Sequence, residues 1–275
     1  MAPVSDQSKI SRREPAGAGN GATGAGWSDD ELNADPHANA EKARKVKGMF
    51  GAIAHAYDLN NHLHSLWMDQ LWRAHAVRTA GVQAGDRVLD CACGTGDLTQ
   101  AFARSPASMV VGADYTHEML EVARVKRVRQ QQPKRDKISY IEADAQNLPF
   151  ADGAFDVVSI AFGIRNVEEP TRALAEFHRV LRPGGRLVIL EFGKPRFAPL
   201  RVFNDLYCAR IMPATATLIA RDRSGAYKYL PKSVGSFMER DEMETEIASV
   251  GFSDVKSRAL SLGICICYRA VRAAG

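Results

Sequence analysis

The chain has 275 residues, 45% hydrophobic and 25% charged, which is the balance of a globular protein with room for one α/β domain and extensions. Its 36 basic and 32 acidic residues leave a net charge of +4, too little to argue for a nucleic-acid partner and compatible with weak attraction to an anionic membrane surface. No stretch approaches the roughly 20 apolar residues of a membrane span, and the five cysteines, odd in number and paired only as C-x-C, lack the spacing of a zinc site, so a cytoplasmic protein with no bound metal is expected.

Residues 1–40 read as a disordered tail. The run Ala16-Gly17-Ala18-Gly19-Asn20-Gly21-Ala22 has little to bury and much backbone entropy to lose. The fold is expected to begin near Glu41 and to continue as one domain over 41–275. Met49, Phe50, Ile53 and Tyr57 recur at helical spacing, so residues 41–80 are read as a helical cap.

A β/α alternation follows. Arg87–Cys91 is a short buried strand, Asp97–Arg104 a helix and Met109–Asp114 a second strand, after which Thr116 caps a helix. Ile138–Ile141 and Asp156–Ile160 are the third and fourth strands. Thr171–Leu181 is an amphipathic helix stopped by Pro183-Gly184-Gly185, and Arg186–Glu191 is the fifth strand. The pattern predicts a Rossmann-like, doubly wound, mostly parallel sheet. Residues 197–240 read as a mostly helical insertion. Its apolar stripe (Phe197, Leu200, Phe203, Leu206, Tyr207, Ile211) is expected to pack on the sheet rather than to line a channel. Val255–Leu260 and Ile264–Tyr268, joined around Gly263, should form an antiparallel hairpin at one sheet edge. Cys265 and Cys267 would then share a buried face.

The strongest local signal is Val88-Leu89-Asp90-Cys91-Ala92-Cys93-Gly94-Thr95-Gly96-Asp97, between a strand and a helix. Gly94 and Gly96 let backbone approach a ligand where a β-carbon would block it. Asp114 ends the second strand about 20 residues later, where an acidic residue meets ribose hydroxyls in open α/β sheets. Asp144 follows the third strand, within reach of an adenine edge. Either carboxylate alone could be a helix cap; three ligand-facing positions on successive strands make coincidence a poor account. The loop lacks a third glycine, and Asp90 and Asp97 flank it with negative charge, which disfavours a dinucleotide diphosphate and suits a phosphate-free ligand carrying positive groups. The histidines His55, His62, His64 and His75 make no metal-binding pattern.

The segment Val88–Asp97 resembles the first motif of class I S-adenosylmethionine-dependent methyltransferases. With Ala92 at the first loop glycine position, it resembles the ubiquinone/menaquinone biosynthesis C-methyltransferases in particular. Three further blocks resemble that family: Phe50–Asn61 with Ser65 and Trp72-Arg73; Asn147–Phe150 with Ala161–Val167; and Phe177–Gly185 with Leu190–Pro195. Tyr227–Leu230 and Ser233 match its distal element. The resemblance spans roughly residues 45–270. Asn60, Asp69, Ala161 and Gly193 depart from the common family pattern.

The resemblance implies S-adenosyl-L-methionine as cofactor, held by Asp90, Gly94, Thr95, Gly96, Asp114, Tyr115, Asp144, Ala145 and Ala161. It implies a lipophilic quinol substrate, demethylmenaquinol foremost, or else another small phenolic molecule. Arg165 would stabilise a developing phenolate and Asn166 would orient the ring. Tyr57 and Asp58 either join them or only anchor the cap. Peripheral contact with the inner face of the membrane and a homodimer are further expectations.

Overall fold

The computed structural model describes residues 27–33, 36, 37, 39, 41–222 and 224–274. The seven strands are β1 (Arg87–Cys91), β2 (Met109–Asp114), β3 (Ile138–Glu142), β4 (Phe155–Ala161), β5 (Leu181–Phe192), β6 (Phe252–Leu260) and β7 (Cys265–Arg272). They form one sheet in the order β3-β2-β1-β4-β5-β7-β6. All pairings from β3 to β5 are parallel, and β7 runs antiparallel to both of its neighbours. The expected hairpin is present, and its later strand lies inside, against β5. The chain steps outward from β1 to β3 and then returns to the other side of β1 at β4. That reversal opens a crevice beyond the carboxyl ends of β1 and β4, where sheets of this kind take ligands.

Period-2 alternation sends neighbouring strand residues to opposite faces. Leu89, Val158 and Ile189 pack under α7 (Pro170–Val180) and α11 (Arg240–Ser249). Val88, Val157, Val188, Cys265 and Cys267 pack under α4 (Met68–Ala80) and α5 (Asp97–Ala103), so the two β7 cysteines are the small buried hydrophobes expected. A third cluster joins α2 (Lys42–Ile53), with Tyr57 at the start of α3 (Tyr57–His64) packed against it, to Met119 of α6 (His117–Val128), Ala216 and Ala220 of α9 (Met212–Ala220) and Tyr227 and Tyr229 of α10 (Ala226–Gly235).

Two expectations are corrected here. The tail is not structureless up to residue 40: Asp29–Asn33 is a short helix, α1, and Trp27 and Leu32 are buried in the third cluster. A single tryptophan supplies the apolar area that the composition of residues 1–26, which lie outside the described residues, lacks. The stripe beginning at Phe197 does not pack on the sheet. No residue of α8 (Ala198–Leu206) is buried, and Phe197, Phe203, Leu206 and Ile211 are exposed.

Candidate active site

The loop after β1 turns sharply, with Ala92, Gly94 and Gly96 all at positive φ. Glycine takes that conformation freely and alanine does not, so Ala92 is a strained position at the mouth of the crevice. Asp114 at the end of β2 braces the turn: its Oδ2 accepts the Gly94 N–H at 2.7 Å, and its Oδ1 accepts the Thr116 N–H at 2.8 Å. Burial raises its pKa above the usual carboxylate range, while those backbone donors pull it back.

An open cleft lies along this edge, at the switch point of the sheet where small-molecule ligands bind. Gly94, Asp114, Tyr115, Asp144, Ala145 and Ala161 line it, together with Tyr57 and Asn166. These eight residues, expected from the sequence, are brought together. Asp144 is oriented by the Gln146 N–H at 2.9 Å. Tyr115 lies under the Lys47 ammonium, 4.3 Å from the ring centre.

Other expected residues stand behind the cleft rather than in it. Asp90 is buried beneath the loop, accepting the Ser159 hydroxyl at 2.9 Å and the Thr99 hydroxyl at 2.7 Å. Burial pushes its pKa up to about 6, against the pull of those hydroxyls. Thr95 is buried and donates its hydroxyl to Asp58. Gly96 makes room for a neighbouring ring: a β-carbon there would fall 2.3 Å from the Tyr140 hydroxyl. Asp58 is a tether, paired with Lys126 at 2.6 Å, and Lys126 in turn holds Asp97 at 2.5 Å. Burial pushes the Asp97 pKa up, but Lys126 and Arg73 outweigh it and bring it below the usual range. The loop's negative charge is thus spent internally, and the cleft's acidity comes from Asp114, Asp144 and Glu168.

Arg165 also differs from expectation. It sits in the 3-10 turn Ile164–Asn166 after β4. Its Nη1 donates to Glu191 at 2.6 Å and to the Phe162 carbonyl at 2.7 Å, and its Nε donates to the Ser233 hydroxyl at 3.3 Å. It is not among the cleft-lining residues. A guanidinium buried in an apolar environment is held to the nearest carboxylate, because leaving it unpaired costs several kcal/mol. The next residue, Asn166, does reach the cleft: its Nδ2 donates to the Phe162 carbonyl at 3.3 Å, and its Oδ1 accepts the Tyr229 hydroxyl at 3.1 Å.

Sequence reading missed the wall formed by α2 (Ala43, Val46, Lys47, Phe50), Met119, and Phe162 and Gly163 at the end of β4. Phe162 has φ 57°, a strained conformation for a bulky residue beside a pocket. A β-carbon on Gly163 would lie 2.6 Å from that of Ala92, so the turns after β1 and β4 touch there. Glu191 was missed as a partner, although a lone glutamate in an apolar strand signals a buried ion pair. Among the described residues, His62, Asp69 and Asp97 bring possible metal-ligand atoms together, but Arg73 and Lys126 already neutralise the carboxylates.

The lining residues fit S-adenosylmethionine. They offer carboxylate acceptors for ribose hydroxyls and an adenine amine, an apolar wall, and no cation for a phosphate except Lys47, which is tied to Glu142 at 3.0 Å. The comparisons agree. Residues 38–272 match the ubiE/COQ5 methyltransferase family. A demethylmenaquinone methyltransferase from Clavibacter sepedonicus is 40% identical over 236 residues, 86% of this chain and 94% of that one. A ubiquinone/menaquinone biosynthesis C-methyltransferase UbiE from Geobacter sp. (strain M21) is 43% identical over 237 residues, 84% of this chain and 98% of that one. Among solved structures, an S-adenosylmethionine-dependent methyltransferase of Thermotoga maritima superposes with TM-score 0.56 at 18% identity, covering 82% of this chain and 99% of that one. Haemonchus contortus phosphoethanolamine N-methyltransferase 2, solved with S-adenosyl-L-methionine, gives 0.53 at 17% identity, covering 75% and 53%. The chain belongs to the ubiE/COQ5 methyltransferase family and is a class I, S-adenosylmethionine-dependent methyltransferase.

Proposed function

We propose that this enzyme methylates a ring carbon of a prenylated quinol, converting demethylmenaquinol to menaquinol. The observation that carries the reading is the contact of Gly163 with Ala92: it sets the turn bearing Asn166 directly beside the cofactor loop, so an aromatic acceptor at Asn166 would lie next to the methyl donor. The relatives' names point to the same chemistry.

Asp114 accepts from the ribose hydroxyls, Asp144 and Ala145 border the adenine, and Gly94, Tyr115 and Ala161 complete the cofactor wall. S-adenosylmethionine supplies a methyl group already activated on a sulfonium, so the protein's task is orientation and stabilisation of charge. The ring hydroxyl loses its proton, the carbon ortho to it bonds the methyl carbon as the methyl–sulfur bond breaks and S-adenosylhomocysteine leaves, and loss of that carbon's proton with reprotonation of the ring oxygen restores the aromatic quinol, for a net release of one proton. Charge developing on the ring oxygen is met by Asn166 and by Tyr57. Burial raises the pKa of the Tyr57 hydroxyl, which keeps it a donor. Arg165, balanced by Glu191, holds the Phe162 carbonyl and the turn in place; Thr95, Gly96, Asp90 and Asp58 support the loop from behind.

The test is transfer of labelled methyl to a short-chain demethylmenaquinol, a prenylated benzoquinol and unprenylated phenols. Methylation of the demethylmenaquinol ring carbon is expected. Efficient transfer only to an unprenylated phenol would sink the reading.

The exposed apolar surface supports peripheral contact with the inner face of the membrane, where such a substrate resides. Leu66 and Trp67 are consecutive left-handed residues, 80% and 56% exposed, and Leu63, Phe203 and Leu206 are exposed as well. His64, bonded to the Tyr207 hydroxyl at 2.8 Å, joins the two segments, and Arg201 and Arg210, in the same helical stretch as Phe203 and Leu206, are exposed, as is Asp205. Large apolar groups with basic neighbours suit an anionic lipid surface. Sedimentation with anionic vesicles should lose the protein in Trp67→Ser. Self-association through this face without vesicle binding would assign it to a homodimer instead.

A further inference from the structure

The family match begins at residue 38, yet described residues before it pack on the domain. Trp27 is 6% exposed and lies face to face with Tyr229, ring centres 4.6 Å apart and planes 21° apart. Its backbone N–H donates to the Ser224 carbonyl at 3.0 Å. Gly225 makes room for it: a β-carbon there would meet the Trp27 carbonyl at 3.1 Å. The Lys45 ammonium lies 5.5 Å from the Trp27 ring centre and pairs with Glu31 of α1 at 2.7 Å. Further along, His37 Nε2 bonds the Ser233 carbonyl at 2.9 Å. A carbonyl only accepts, so the proton is on Nε2, and the bond caps one of the carbonyls that the last turn of α10 leaves without a helical partner.

Both anchoring points lead to the turn after β4. Tyr229 donates its hydroxyl to Asn166, and the Ser233 hydroxyl accepts from Arg165. Between them α10 carries Pro231 inside the helix, which removes one helical hydrogen bond and leaves the helix prone to bend there. A helix weakened between two supporting residues needs bracing from outside, and Trp27 and His37 brace it on either side of the proline.

We infer that the segment carrying Trp27 and His37 is an active-site strap: through Tyr229 and Ser233 it fixes the Arg165–Asn166 turn, and Trp27 is a positioning residue for methyl transfer. The inference rests on the reading that Asn166 borders the acceptor ring.

Trp27→Ala, Trp27→Phe and His37→Ala in the full-length chain test it. With short-chain demethylmenaquinol, Trp27→Ala should lower kcat about tenfold, within what a small misplacement costs. The affinity for S-adenosylmethionine, measured by calorimetry, should change less than about twofold, because the Asp114 side of the cleft is untouched. Trp27→Phe should restore most of the rate, since it keeps a ring on Tyr229. In an Asn166→Ala background the further loss should shrink to less than about twofold, because the two residues act in series. Equal losses in both backgrounds, or an unchanged kcat, would overturn the strap. Hydrogen exchange gives a readout independent of substrate. Amides of residues 163–167 and 226–235 should exchange faster in Trp27→Ala while β1 stays protected; unchanged exchange at 163–167 also overturns the inference. A wild-type enzyme that ignores the quinol would count against the proposed substrate, and the exchange experiment would still decide the strap.

Discussion

The Arg165 guanidinium and the Glu191 carboxylate, 2.6 Å apart and each 3% exposed, tie the turn after β4 to the end of β5. The second Glu191 oxygen is buried with no hydrogen-bond partner, so this carboxylate depends on Arg165. Removing either partner leaves an uncompensated charge in the interior.

Arg165→Ala and Glu191→Ala are each expected to destabilise the fold by about 3–5 kcal/mol. The double substitution should cost clearly less than the two together, as measured by denaturant unfolding. Additive losses would mean that the two charges do not depend on one another. A variant Arg165→Ala with full stability and a lost rate would return the guanidinium to the acceptor ring.

Asp114→Ala should weaken S-adenosylmethionine by about 1.5–3 kcal/mol, the range for hydrogen bonds to a charged group. Asp114→Asn should recover part of this, because its amide oxygen can still accept the Gly94 N–H that shapes the loop. Unchanged affinity in the calorimeter would remove Asp114 from the site.

Gly163→Ala is expected to destabilise the protein by about 1–3 kcal/mol, as overpacking does. Its φ is ordinary, so the obstacle is the Ala92 methyl group, 2.6 Å from the new carbon. Ala92→Gly in the same chain should restore much of the melting temperature and of the cofactor affinity. Failure of that rescue would place the obstacle at Ile160, the next neighbour at 3.2 Å.

Asp90 sets a pH dependence. Its pKa in the folded protein, about 6, lies above its ordinary value of 3.8, so the folded state holds the proton more tightly than the unfolded chain does. Its contribution to stability is fully present below pH 3.8 and is lost as pH rises through about 6; above that it costs on the order of 3 kcal/mol. Asp90→Asn should therefore raise the melting temperature at pH 7–8 and flatten the profile between pH 4 and 6. An unchanged profile would show that the buried carboxylate is already fully solvated by Thr99 and Ser159.

Local pattern was enough for the parallel part of the sheet. Arg87–Cys91 and Met109–Asp114 were bounded to the residue, because a buried strand between turn signals leaves little freedom in where it ends. The placement of Asp114, Asp144 and Gly94 along one edge follows from the same pattern, since every parallel strand presents its carboxyl end to the same side. Tertiary structure decided what sequence periodicity cannot carry, namely which partner each polar side chain finds. Thr95 and Asp58 are 37 positions apart, Arg165 and Glu191 26, and Tyr229 and Asn166 63. Each pair is made by a crossover or a cap folding back, and a charge read alone as ligand-facing becomes a brace once burial forces it to pair. Trp27 shows the same limit from the other side: the composition of the segment around it gives too little to bury, and only the ring of Tyr229, some two hundred residues away, makes its order pay.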